Sequence, residues 1–192
     1  MKTIANPLFL ALLLILAPVA QAQHQTFTAN PDSSKVAFAL GGSGHHVDGT
    51  FHVQSGSIDF DRGAQTISGS IVVAAGSGNS GEPSRDKKMN SDVLEVAKFA
   101  EVSFVPKSYT GTVAASGDST IQVTGVFTLH GATHDLTVPM QIHIDGATLT
   151  AKTQFQVPYV QWGLKDPSIF ILKVAKIVDI DLTLTGSVAG AK

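Results

Sequence analysis

The sequence contains no cysteine, which excludes disulfides, thiolate metal sites and a lipidated cysteine anchor. An excess of charge of either sign is missing as well, because 13 Lys and Arg stand against 15 Asp and Glu, for a formal net charge of −2. A protein without a basic stripe is not expected to bind nucleic acid. Without disulfides, stability must come from apolar burial and from a closed hydrogen-bond ladder.

Signatures of catalysis and of metal binding are missing too. No HExxH spacing occurs around the histidines, and no GxSxG sequence occurs around the serines. The pair His45-His46 follows several glycines and is expected to lie in a loop, where histidines are commonly solvated. We therefore expect no catalytic residues, no metal site and no cofactor, and we expect that the protein is not an enzyme.

The N-terminus, MKTIANPLFLALLLILAPVAQAQ, has the three parts of a secretory signal. Lys2 supplies positive charge, an unbroken apolar run follows, and Ala20-Gln21-Ala22 is a small-x-small cleavage site. We expect a signal peptide at residues 1–22, cleavage after Ala22, and one exported domain at residues 23–192, periplasmic or secreted. No later stretch approaches the roughly 18 consecutive apolar residues of a membrane span, so no stable membrane insertion is expected.

Residues 121–157 show the clearest pattern in the chain. Apolar residues recur at every second position and two turn signals interrupt them, which predicts three consecutive antiparallel strands. The third strand, at residues 147–157, would be about 35 Å long at roughly 3.3 Å per residue. Strands of this length indicate a deep barrel rather than a compact sandwich.

The remaining chain adds further strands and one helix. A first strand pair or a bent first strand precedes a Gly-rich loop, and a change of apolar parity predicts a bulge or turn around Ser55-Gly56. The helix is expected to begin with Ser84 as its N-cap and to present Met89, Val93 and Val96 on one side. With this narrow apolar stripe it would lie as a flap over an open barrel end.

Counting these elements predicts an all-β protein with one short helix. About eight strands, each with one apolar and one polar face, are expected to close into an antiparallel barrel with the apolar face inward. Eight strands enclose an interior just wide enough for side chains or for one slender ligand. The pattern is compatible both with a filled core and with an open channel.

Two segments contain a recognisable combination of motifs. The first is RDKKMNSDVLEVAKFAEVSFVPKSY followed by VTGVFTLHGATHDLTVPM, and the second is GTFHVQSGSIDFD. The characteristic positions are Arg85-Asp86, Phe104, Gly125, Thr128-Leu129, Gly131 and Thr133 in the first segment, and Gly49, Phe51, Gly56 and Asp61 in the second. In these positions the chain resembles the YceI-like family of exported lipid-binding or polyisoprenoid-binding proteins. The family's usual aromatic pair in the helix is Val93-Leu94 here, and Ala100 replaces a common Pro.

The resemblance implies an extended antiparallel eight-stranded lipocalin-like β-barrel with an apolar channel. The channel would hold a long isoprenoid chain, such as a polyprenyl phosphate or a quinone tail, whose burial is worth about 25 cal/mol per Å². Most of the predicted lining residues are chosen because they lie on the inward face of a strand, and Trp162 and Phe170 are chosen because they are bulky residues near the mouth. The predicted lining is Phe38, Phe51, Phe60, Phe104, Phe127, Leu129, Met140, Ile142, Phe155, Trp162, Phe170 and Ile180. Each of these residues could equally be ordinary core.

Arg85 completes the predicted ligand-binding set. Its guanidinium suits the anionic oxygens of a head group, or it forms an ion pair with Asp86 that locks the flap to the barrel. Two functions follow: an exported, non-enzymatic carrier of an isoprenoid lipid or quinone, or an exported barrel with a solid core whose loops bind a protein partner. A homodimer through the barrel exterior is compatible with either.

Overall fold

The structure is a computed structural model that describes residues 24–170 and 173–190. The expected signal peptide at residues 1–22 therefore lies outside the described residues. Ten strands and one short α-helix follow one another along the described chain. Their bounds are β1 (His24–Ala29), β2 (Lys35–Gly42), β3 (His45–Phe51), β4 (Val53–Asp61), β5 (Thr66–Ala74), α1 (Pro83–Lys88), β6 (Glu101–Gly111), β7 (Gly117–Leu129), β8 (Ala132–Asp145), β9 (Thr148–Val157) and β10 (Val178–Gly190).

The ten strands form a closed eight-stranded antiparallel barrel, as the sequence predicts. Strands β1 and β2 lie end to end along one edge of β10, so they act as one bent barrel strand. The bend falls at Asn30-Pro31, where Pro31 cannot donate to the ladder and the Asn30 side chain accepts a hydrogen bond from the Asp32 amide. The bent first strand is therefore the correct alternative.

Strands β3 and β4 form the second bent barrel strand in the same way. They pair with β2 and β1 respectively, and β4 carries a bulge against β5 between Val53 and Ser55. The bulge changes which parity faces inward, from Phe51 and Val53 to Ile58 and Phe60. It lies one or two residues before the position predicted from sequence.

The three long consecutive strands β7, β8 and β9 form a large part of the barrel wall. β7 has 13 residues, β8 has 14 and β9 has 10, and every neighbouring pair from β4 to β10 is antiparallel. Buried residues alternate with exposed ones along these strands, for example Val138, Ile142 and Ile144 in β8. The inward rows therefore follow the period of two seen in the sequence.

The helix differs from its prediction in two ways. Glu82, rather than Ser84, is the N-cap: its carboxylate accepts hydrogen bonds from the amides of Ser84 and Arg85, and Pro83 occupies the first helical position, where its missing N–H is harmless. The α-helix also ends at Lys88, and a π-helical turn continues over Met89–Val93. Met89 and Val93 therefore lie in the π-helical turn, and Val96 lies beyond both helical segments, so the predicted stripe of three residues on one α-helix is wrong. We call residues 82–98 the flap.

No helix within the described residues reaches the length and hydropathy that crossing a bilayer requires.

Candidate functional site

A cavity of about 530 Å³ runs along the barrel interior. On β9 its wall extends from Leu149 to Val157, a path of about 26 Å at roughly 3.3 Å per residue. Its walls are almost entirely aliphatic and aromatic, and its volume lies within the range of about 300–1,000 Å³ that is typical of small-molecule sites. The barrel is therefore hollow, and it is long and narrow.

One end of the cavity is the mouth. It is framed by the flap, by the turn between β2 and β3, and by the connection from β9 to β10, which we call the mouth segment (residues 158–170 and 173–177). Met89 and Leu94 from the flap, Leu40 from β2, and Leu164 and Val174 from the mouth segment all line the cavity. The flap thus covers part of this end, where the sequence predicts it.

The opposite end of the cavity is closed by packed side chains. Phe27, Val113 and Val188 are buried there, and Tyr109 donates a hydrogen bond of 2.9 Å to the backbone carbonyl of Asp61. Burial raises the pKa of the Tyr109 phenol above its ordinary value. The neutral hydroxyl therefore ties the end of β6 to the end of β4, and the cavity has its opening at the mouth.

Eleven of the thirteen predicted binding residues lie on the wall of this one cavity. They come from eight different strands and the flap, and the barrel brings them together because alternate residues of every strand point inward. Their role in holding a ligand stays a prediction. The eleven are Phe38, Phe51, Phe60, Arg85, Phe104, Phe127, Leu129, Met140, Ile142, Phe155 and Ile180.

Two glycines allow aromatic rings to lie against the wall. A Cβ on Gly49 would come within 2.3 Å of the Phe38 ring, and a Cβ on Gly125 would come within 2.6 Å of the Phe104 ring. Each ring therefore occupies the space that a side chain on the neighbouring strand would otherwise fill. Larger residues at these two positions would push the rings toward the axis, so the glycines help to keep the cavity open.

Trp162 and Phe170 lie outside the cavity wall. The Trp162 indole stacks on the His134 imidazole, with ring centroids 3.9 Å apart and planes 7° apart, and its centroid is 5.8 Å from that of Phe127. Among the described strands, β8 pairs with β9 only from Gln141 onward, so the first half of β8 has no hydrogen-bonded partner on that side. His134 belongs to this first half, and Trp162 therefore packs beside it. Phe170 is 95% exposed.

Arg85 and Asp86 both bind the loop that precedes the helix. Arg85 Nε donates to Ser80 Oγ and Nη2 donates to the Ser80 carbonyl, each at 2.8 Å, while Asp86 accepts from the Ser80 amide and hydroxyl. Both residues thus fix the start of the flap through Ser80 rather than through a direct ion pair. Arg85 also lines the mouth beside Lys88, so two cationic side chains face its opening.

The far end of the flap is fastened to the turn between β7 and β8. Glu95 accepts from Lys98 Nζ at 2.7 Å and lies 2.8 Å from His130 Nε2, and Phe99 packs on His130 with centroids 4.3 Å apart. The hydrogen bond from Lys98, followed by that from His130, holds the pKa of the Glu95 carboxyl below its ordinary value. An ionised Glu95 therefore keeps this contact in place at neutral pH.

Thr153 is a polar cavity residue that the sequence prediction missed although its signal is visible in the sequence. It sits in the inward row of β9, between Ala151 and Phe155, and is 6% exposed. Thr153 lines the cavity, and its buried hydroxyl has no hydrogen-bond partner among the described residues. The signal in the sequence is that Thr153 is a polar residue in a row of alternate residues that are otherwise apolar.

Comparison with known proteins gives a consistent picture. A family profile described as YceI-like domain matches residues 27–186. A UPF0312 protein of Pseudomonas syringae pv. tomato is 31% identical over 186 residues, covering 90% of this chain and 91% of its own. A UPF0312 protein of Pseudomonas fluorescens is 30% identical over 151 residues, covering 73% of each chain.

Two solved structures share the fold. Burkholderia cenocepacia BcnA superposes with a TM-score of 0.67 at 21% identity, covering 82% of this chain and 99% of its own. A domain from Saccharophagus degradans, described as a polyisoprenoid binding domain implicated in plant cell wall breakdown, superposes with a TM-score of 0.64 at 13% identity, covering 88% and 100%. Both place this chain among barrels of the same architecture.

Proposed function

Because this chain belongs to the YceI-like family, we propose that it is an exported, non-enzymatic carrier of a long-chain isoprenoid lipid. The observation that carries the proposal is the cavity of about 530 Å³, which is apolar along its length and opens at the mouth. A structural neighbour described as a polyisoprenoid binding domain supports the same ligand class. The signal sequence at residues 1–22 supports export to the periplasm or the medium.

The shape of the cavity suits a single linear hydrocarbon. An isoprenoid tail exposes only apolar surface in water, and each buried methylene contributes about 0.8 kcal/mol. A tube closed by packed residues around Tyr109 and open at the mouth would take the tail first. The head group then stays at the mouth, in contact with water.

Arg85 and Lys88 are placed to contact that head group. Arg85 has two of its guanidinium nitrogens bonded to Ser80, which holds the side chain at the mouth, and Nη1 has no hydrogen-bond partner among the described residues. Lys88 adds a second positive charge on the same side of the cavity. A polyprenyl phosphate gains from both cations, whereas a quinone gains only hydrogen bonds.

Mass spectrometry of organic extracts from the purified mature protein tests the ligand class. We expect a polyprenyl or quinone species in the extract and the same species recovered unchanged after incubation. Extracts without an isoprenoid from several expression hosts, together with no uptake of added polyprenol, would favour a barrel that binds a protein partner through its loops. A chemically altered lipid after incubation would overturn the non-enzymatic assignment.

Matched ligands separate the roles of tail and head group. Lys88→Gln should weaken polyprenyl phosphate binding about two- to fivefold, the size expected for a solvent-exposed charge contact, and leave polyprenol of equal length unaffected. Arg85→Gln also removes the bonds to Ser80 that fix the flap, so it should weaken binding of both ligands, and that of the phosphate more. Lys107→Gln, on the outer wall of β6, is the control. Equal losses for both ligands would place the head group elsewhere.

A further inference from the structure

The mouth segment carries the exposed large hydrophobic side chains of the part of the chain that the structure describes. Within the described residues, three large hydrophobic side chains are exposed: Ile169 at 50%, Phe170 at 95% and Ile177 at 45%. All three belong to this one segment. Scattered apolar side chains are ordinary on a protein surface, but three in one segment, including an almost fully exposed phenylalanine, indicate an interaction surface.

Hydrogen bonds hold this cluster at the rim of the cavity. The Val174 amide donates to Ser168 Oγ at 2.9 Å, and the Ala175 amide donates to the Gly41 carbonyl at 2.8 Å, beside the turn between β2 and β3. Pro167 and Val174, on either side of Ile169 and Phe170 in the chain, both line the cavity. The exposed pair therefore stands next to the opening.

The two segments that frame the mouth carry a net positive charge. The flap and the mouth segment together contain seven Lys or Arg and five Asp or Glu, a net charge of +2. The rest of residues 23–192 contains five Lys or Arg and ten Asp or Glu, a net charge of −5. Lys165 Nζ lies 3.8 Å from Asp92 Oδ2, which links the mouth segment to the flap, and the Lys173 side chain is exposed. The two segments that frame the mouth thus combine exposed apolar side chains with a net positive charge.

We propose that the mouth docks reversibly on the surface of a membrane that contains anionic lipids. Phe170 and Ile169 would enter the boundary between head groups and acyl chains, while the cations of the flap and the mouth segment contact anionic head groups. Apolar insertion and electrostatic attraction reinforce each other at such a surface. A second copy of the chain fits less well, because a symmetric dimer through the mouth would bring two surfaces of charge +2 together.

Docking would bring the cavity opening to the bilayer surface. A lipid tail could then pass between membrane and barrel with little exposure to water, which is the costly part of its transfer. The surface, however, does not require a ligand in order to bind a membrane. The docking proposal therefore stands or fails independently of the carrier function.

Vesicle flotation of the mature protein tests the proposal without any added ligand. The vesicles are phosphatidylcholine alone and phosphatidylcholine mixed with phosphatidylglycerol. The variants are Phe170→Ser, Phe170→Leu and Lys173→Gln, with Lys152→Gln on the outer face of β9 as the charge control. Since these side chains are exposed, circular dichroism should show an unchanged fold.

We expect flotation with the anionic vesicles and weaker flotation as salt is raised. Phe170→Ser should lower the partition coefficient about tenfold, Phe170→Leu less, and Lys173→Gln about two- to threefold, with Lys152→Gln unchanged. Absence of flotation with both vesicle types would overturn the proposal, as would equal flotation of the wild type and Phe170→Ser. A concentration-dependent dimer that Phe170→Ser abolishes would identify a second copy as the occupant and would overturn it as well.

Discussion

Ala151→Phe is the variant that most directly probes the hollow interior. Ala151 lines the cavity, is 7% exposed, and lies between Ile142 on β8 and Leu184 on β10, which line it too. A phenyl ring at this position would enter the cavity in its half nearer the closed end. Because the space is open, the ring should be accommodated without displacing its neighbours.

The change has opposite effects on stability and on binding. Burying the added ring in the empty tube should raise the free energy of unfolding by up to about 2 kcal/mol. For a chain of this size, each kcal/mol raises Tm by about 2–4 °C. Excluding one five-carbon unit of a ligand removes about 4 kcal/mol at about 0.8 kcal/mol per buried methylene, a several-hundredfold increase in Kd. Short isoprenols that do not reach Ala151 should lose less.

Thermal unfolding of the ligand-free protein and titration with isoprenols of increasing length measure both effects. Lys152→Phe is the matched control, because it places the same ring on the outer face of the same strand. A fall in Tm equivalent to about 1–3 kcal/mol in Ala151→Phe would mean that the site is overpacked, and it would refute the hollow interior. Unchanged affinity for a long isoprenol would refute the assignment of this cavity as the binding site.

Three further predictions concern single contacts. Tyr109→Phe removes the hydrogen bond to the Asp61 carbonyl and should lower the unfolding free energy by about 1 kcal/mol in a denaturant titration; an unchanged midpoint would show that the closed end needs no such bond. Thr153→Val removes a buried hydroxyl without a partner among the described residues and should raise stability by about 1 kcal/mol, whereas a decrease would reveal a bonded hydroxyl. The hydrogen bond from Lys98, more than that from His130, lowers the pKa of Glu95 from 4.5. The ionised carboxylate therefore stabilises the flap fully above pH 4.5, and this stabilisation is lost as the pH falls through the lowered pKa. Hydrogen exchange in the flap should accelerate over that range in the wild type and change little in Glu95→Gln, and identical profiles would contradict this role.

The sequence by itself determined the strands and their inward faces. Apolar residues at every second position are a local property of the chain, and they specify which side of a strand is buried before any partner is known. This is why residues as distant as Phe38, Phe104 and Ile180 could be placed on one cavity wall. A turn at Asn30-Pro31 is visible in the sequence because proline acts locally, but the sequence left open whether it separates a strand pair or bends one strand.

Local signals were weaker at the helix and in the connection from β9 to β10. Ser84 and Glu82 are both able to cap a helix, and the choice between them depends on Pro83 taking the first helical position. Trp162 and Phe170 have no periodic neighbours to assign their direction. The open ladder between β8 and β9 provides the site for Trp162, and hydrogen bonds across the rim leave Phe170 in solvent.

Only the tertiary structure decided that the barrel is hollow. The same alternating rows could meet across the axis, because alternation specifies direction and not the distance between opposite walls. That distance depends on the number of paired strands and on the rings of Phe38 and Phe104, which pack against Gly49 and Gly125 on neighbouring strands. The cavity, its mouth and the unpartnered Thr153 hydroxyl are properties of the closed barrel as a whole, since each requires residues that meet only when β10 pairs with β1 and β2.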